Sequence, residues 1–217
     1  MVLRKIRVLS CAAVTLALAG LGQGAPVPRL APTRWELDFA FRDPLRITVT
    51  LPGDQHPTTF WYLLFTVTNN SGQDVEFYPT FDIVTDTLQT VEGGADISPR
   101  VQDAIRERHK SEYPFFVDPT KLSGKLMQGE DNARTSCAIF RTFDPQASRF
   151  TIYIAGLSGE IQRQRNVGFD PKQPESEKNP KFFTLRKTLA MTYELPGDPQ
   201  TRKDATPARV NREWVMR

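Results

Sequence analysis

Thr59-Phe60-Trp61-Tyr62-Leu63-Leu64-Phe65-Thr66-Val67-Thr68, followed at once by Asn69-Asn70-Ser71-Gly72, is the stretch that decides the fold. It is an unbroken run of aromatic, β-branched and aliphatic residues, and such side chains suit a pleated, buried surface. Trp61, Leu63, Phe65 and Val67 share one face, while Tyr62, Leu64, Thr66 and Thr68 share the other. The second face is apolar at Phe60, Tyr62 and Leu64, so cover is expected on both sides there. Asn69 to Gly72 carries the residues of a hairpin turn, because Asn and Gly accept the left-handed conformation.

The same period of two extends outward from this centre. Upstream, Trp35, Leu37, Phe39 and Phe41 alternate with Glu36, Asp38, Ala40 and Arg42, and Asp43-Pro44 breaks the run. Leu45, Ile47, Val49 and Leu51 resume it up to the turn Pro52-Gly53-Asp54. Downstream, Val75 and Phe77, then Phe81 and Ile83, continue as strand, with Pro79 marking a bend or an edge. Residues 88–91, 134–140 and 150–154 read as further strands. The last is 182–195, with Phe183, Leu185, Lys187, Leu189, Met191 and Tyr193 on one side. One helix is expected over 99–111. Ser98 is its N-cap, Pro99 opens it, and Val101, Ala104 and Ile105 form a narrow apolar stripe. So thin a stripe cannot hold a helix alone, so it must pack on a sheet. About eight short strands without strand–helix alternation indicate a mainly β fold. The expected architecture is an antiparallel, immunoglobulin-like β-sandwich with one short inserted helix.

The ends of the chain have a different composition. Arg4, Lys5 and Arg7 precede an uncharged, apolar segment of about 14 residues, too short to span a bilayer. Gly22-Gln23-Gly24-Ala25 then supplies small residues for cleavage, so 1–24 is expected to be a signal peptide. Cleavage before Cys11, as in a lipoprotein, would leave the apolar core on the wrong side of the cut. Without 1–24, Lys plus Arg falls from 28 to 25 against 25 Asp plus Glu, so the mature chain is formally neutral. The basic balance of the whole chain is therefore no argument for nucleic acid or an anionic membrane, and no nucleic-acid partner is expected. Cys137 is then the one cysteine left, which excludes an internal disulfide. Residues 25–33 are a Pro-rich lead, 34–197 the sandwich with a polar loop at 170–181, and 198–217 a tail. The tail ends in Trp214-Val215-Met216-Arg217 and is expected to dock, on this domain or on a partner.

No catalytic constellation is legible. His56 and His109 lack a second ligand at metal spacing, and Asp82, Asp86, Glu92 and Asp96 lack the spacing of a calcium loop. Gly156-Leu157-Ser158-Gly159 misses the nucleophile elbow by one position. Cys137 lies in an alternating strand and reads as a structural thiol. No cofactor and no metal are expected. Asn69-Asn70-Ser71 is a formal glycosylation triplet. Arg163 and Arg165, expected in a small basic loop after a strand, and Trp214 in the tail are the binding candidates.

The order of aromatic strand, Thr66-Val67-Thr68-Asn69-Asn70-Ser71-Gly72, Phe77-Tyr78-Pro79, then Gly129-Glu130 and the 137–140 strand resembles immunoglobulin-like, telokin-like domains of bacterial secreted proteins of unknown function. The likeness covers roughly residues 45–157, and the helix at 98–112 and the excursion at 158–181 depart from it. It implies a binding or structural module and carries over no site residue. The expectation is an exported, non-enzymatic sandwich, periplasmic or secreted, that binds a protein or envelope component. An envelope-assembly subunit docked through the tail is the alternative. A hydrolase with scattered carboxylates is a further one.

Overall fold

The computed structural model describes residues 26–29 and 34–217. The expected signal peptide, Ala25 and residues 30–33 of the lead lie outside them. The strands in chain order are β1 (Asp38–Phe41), β2 (Leu45–Val49), β3 (Thr58–Thr68), β4 (Val75–Phe77), β5 (Thr80–Thr85) and β6 (Thr90–Glu92). After the helix α1 (Pro99–His109) come β7 (Gly124–Leu126), β8 (Arg134–Arg141), β9 (Arg149–Ala155), β10 (Ile161–Arg165), β11 (Phe182–Glu194) and β12 (Ala208–Met216). The fold is mainly β with antiparallel sheets, as the alternation predicts.

β3 is the centre of the first sheet. β8 runs along one side of it, from Phe60↔Arg141 to Val67↔Arg134. Two short strands share the other side, β1 beside Thr68 to Phe65 and β2 beside Tyr62 to Thr58. Three residues separate Phe41 from Leu45, but only two separate their partners Phe65 and Tyr62. The surplus residue at Asp43-Pro44 acts as a bulge and reverses the facing of the chain. Phe39 and Phe41 therefore join Phe65 in the main core, while Leu45 and Ile47 join Tyr62 and Phe60 on the opposite face.

The second sheet has the order β10-β11-β9-β5-β6, with β12 on the far side of β11. Its inward residues Phe81, Ile83, Phe150, Ile152, Leu189, Met191 and Tyr193 meet Trp61, Leu63, Phe65 and Phe140 in one core. Rings pack directly across it: Phe65 on Phe81 at 5.0 Å and Trp61 on Phe150 at 5.7 Å. Each fully buried side chain of this size contributes about 1.5–3 kcal/mol. The sheets are tied at both edges. Leu37 N–H donates to Leu157 O and Gly159 N–H to Trp35 O, while Gly93 and Gly94 bridge Phe81 O to Ile139 O.

The outer face of β3 is covered, as its second apolar face requires. Val101 and Ile105 of α1 are fully buried against Tyr62, Leu64, Cys137 and Ile139. Ser98 caps the helix through Arg100 N–H. The Tyr62 hydroxyl and His109 Nε2 are 2.9 Å apart beneath it. Burial, then the neighbouring Arg108 charge, lowers the pKa of His109. Burial also raises the pKa of the Cys137 thiol, which leaves no thiolate there to react.

Two expectations need correction. The turn at Asn69 does not close a hairpin on β3, because β4 pairs with β7 instead. Asn69 is wholly buried and donates its amide hydrogens to Gln73 O and Leu126 O, so it pins two segments and offers no amide to a glycan. The stretch set apart as a tail docks on this domain, one of its two expected places, but it does so as a strand of the sandwich and not as a separate segment. β12 pairs with β11 from Lys187↔Met216 to Glu194↔Ala208, and Trp214 is half-buried against the core.

Candidate functional site

β9 leaves the core at Gly156, whose φ is +87° and whose place would put a Cβ 2.6 Å from Tyr78 O. The chain then crosses beside residues 35–37, pressed so close that a Cβ on Gly159 would lie 2.7 Å from Trp35 Nε1. Both glycines are thus required by space. The near-miss elbow is this crossing. Ser158 donates to Trp35 O and accepts from Glu160 N–H, so its hydroxyl has a structural role.

Glu160 is delivered into the interior at the start of β10. There the ammonium of Lys187, on the inward face of β11, donates to Glu36 Oε2 at 2.7 Å and lies 3.7 Å from Glu160 Oε2. Its Nζ sits 5.0 Å from the centre of the Trp214 ring. The Arg29 N–H donates to Glu160 Oε1 at 3.1 Å. One cation and two carboxylates therefore knot the lead, the chain before β1, β11 and β12 together. The Lys187 side chain is thus enclosed by the two carboxylates and the Trp214 ring.

β10 and the first residues of β11 continue past this knot as a two-stranded arm, in register from Ile161↔Arg186 to Arg165↔Phe182. Ile161, Arg163, Arg165, Phe182, Thr184 and Arg186 form one face of the arm, and Gln162, Gln164, Phe183 and Leu185 the other. Ile161 is 49% exposed, Phe182 39% and Phe183 46%. The Arg163 guanidinium lies over the Phe182 ring at 5.0 Å. Among the described residues, Arg163, Arg165 and Arg186 make no ion pair. The polar loop that closes the arm is organised by two asparagines. Asn166 donates its side-chain amide to Pro180 O, and the amide nitrogen of buried Asn179 donates to Asp170 O and lies 3.3 Å from both Gln173 O and Pro174 O.

The sequence-derived candidates divide between the two parts. Arg163 and Arg165 stand on a strand of the arm, not in a loop, because their backbone pairs with β11. Trp214 belongs to the knot, across β11 from β10, and does not meet them. Phe182, Phe183, Ile161, Arg186 and the Lys187 knot escaped the sequence reading. Phe182-Phe183 at the end of a polar loop was the available signal, since adjacent aromatics on a strand must face opposite ways.

At the opposite end of β11 a cleft of about 290 Å³ opens between Trp61, Phe143, Ala147 and Leu195. Its arginines hold the chain that crosses it. Arg46 stacks 4.5 Å over Trp61 and donates to Arg202 O and Ala205 O, and Arg202 donates to Gln146 O. Among the described residues no three His, Cys, Asp or Glu side chains gather to hold a metal ion, and no helix is long and apolar enough to cross a membrane. Asp82 faces Arg217, and Asp86 accepts from Ser148 and Arg149. Compared with protein-family models, curated proteins and solved structures, the chain finds no match.

Proposed function

We propose that this protein is an exported, non-enzymatic β-sandwich that acts as a binding module of the cell envelope or extracellular space, and that it meets a protein partner through the β10–β11 arm. The arm carries this reading. Ile161 and Phe182 are exposed on the face that carries Arg163, Arg165 and Arg186, three arginines without an ion pair among the described residues, and Phe183 is exposed on the opposite face. Apolar side chains rimmed by arginine are the usual composition of a protein interface. The buried knot beneath supports the reading, because it orients the arm from a rigid base. Export rests on the basic start, the apolar run and the small residues of 1–25. The kinship with immunoglobulin-like secreted domains belongs to the same proposal.

A photocrosslinking side chain at Phe183, introduced in the native host, tests the binding. A discrete adduct that disappears when residues 167–180 are replaced by a short turn and Phe182 by Ser is the expected result. Adducts that survive those changes would remove the arm from the proposal. The mass of the purified protein tests export, and an intact N-terminus in a cytosolic fraction would refute it.

A further inference from the structure

The outer edge of β10 has a definite chemistry. Glu160 O accepts from Lys187 N–H, and Asn166 N–H donates to Lys181 O, so both of these groups point toward β11. Backbone groups alternate along a strand, so those of Gln162 and Gln164 point the same way. The N–H and C=O groups of Ile161, Arg163 and Arg165 therefore point outward. Among the described residues β10 pairs with β11 alone. An exposed row of this kind is a template for another strand unless it is blunted. This one carries no proline and no bulge, and its charged side chains, Arg163 and Arg165, are of one sign, so they repel a basic strand and admit an acidic one.

We propose that β10 is a strand-addition site for an extended acidic segment of a partner protein, a step that rests on the arm being the binding surface. The charges select the occupant. Arg163 and Arg165 are two residues apart, so they stand on one face about 7 Å from each other. An added strand with a carboxylate at every second position presents those carboxylates on the same face at the same spacing. Arg186, on the neighbouring strand, extends the positive row. A second copy of this chain is the wrong occupant. Pairing β10 with its own copy sets arginine beside arginine on a single face, and like charges opposite one another destabilise a sheet. Main-chain bonds supply the affinity of such a complex, and the alternate side chains supply its selectivity.

Three blocked hexapeptides are the probes: alternating Glu-Val, alternating Lys-Val, and three Glu followed by three Val. Binding is followed by amide chemical shifts in the full mature chain. The alternating Glu-Val peptide is expected to bind at least tenfold tighter than the other two and to shift the amides of Ile161, Arg163 and Arg165. Arg163→Ala should weaken it severalfold. Arg163→Pro removes the same charge and also the outward N–H, while leaving the bonds to β11 intact, and should weaken it at least a further tenfold. Arg165→Pro repeats the comparison against Arg165→Ala if Arg163→Pro does not fold. Equal binding of the Lys-Val peptide, equal effects of the Pro and Ala variants, or self-association of the chain that the Pro variants abolish would each overturn the proposal. Loss of the peptide result with the Phe183 adduct intact refutes strand addition alone, whereas loss of both refutes the arm as a binding surface.

Discussion

Replacing Lys187 with Met tests whether the base of the arm is a buried charge knot. Methionine keeps nearly the same length and volume, so the change removes charge with little loss of packing. In the native chain the Lys187 side chain is 3% exposed and that of Glu160 is 8% exposed. Glu160 Oε2 is buried and has no hydrogen-bond partner among the described residues, so the lysine charge 3.7 Å away is what balances it. Removing one member of a buried pair costs about 3–5 kcal/mol, because the other charge stays buried and uncompensated. Glu36 is 27% exposed and regains water, which places the expected loss near the lower end, about 3 kcal/mol. For a domain of this size that is about 6–12 °C in Tm. Adding Glu160→Gln removes the stranded charge and keeps an acceptor for Arg29 N–H, so the double variant should recover at least half of the loss. Urea unfolding at pH 7 with an unchanged m-value reads both numbers. A Lys187→Met loss below about 1 kcal/mol, the size of a surface pair, would refute the knot. A double variant no more stable than the single would show that Glu160 is not the stranded charge.

Further predictions follow from the packing. Ile105→Ala, at a fully buried position between α1 and β3, should cost about 2–4 kcal/mol in chemical denaturation, and a cost under half of that would mean that the helix merely rests on the sheet. Gly159→Ala drives a methyl group into the Trp35 indole and should cost about 1–3 kcal/mol with a red shift in tryptophan emission; unchanged emission would contradict the close crossing. His109 is held neutral, with its pKa below the ordinary value, so the unfolded chain takes up protons first on acidification. Stability is then full above the unfolded value of about 6.5 and falls as pH drops from there toward the folded value, and His109→Gln should flatten that part of the stability–pH curve.

Much of the fold was legible because strands and helices announce themselves by period. Trp61 and Tyr62 face opposite cores because adjacent strand residues must, and the apolar second face of β3 required the cover that α1 provides. What escaped was pairing. Asn69-Asn70-Ser71-Gly72 has hairpin chemistry, yet Asn69 spends its amide on Leu126 O, 57 residues away. Arg163 and Arg165 looked like a loop because their neighbours are polar, and only the partner strand reveals that they lie in a ladder. Lys187 stood on the apolar side of its strand in the pattern, but its partner Glu36 lies 151 residues distant.

The sequence alone therefore determined which segments extend, which one coils, and which side of each strand seeks the interior, since alternation and capping act between near neighbours. Tertiary structure alone decided register, edge and depth. One surplus residue at Asp43-Pro44 sends β1 and β2 to different cores, and Gly156 and Gly159 let β10 pass the end of β9 and project. Those outcomes depend on backbone meeting backbone across long separations, and local periodicity does not encode a partner.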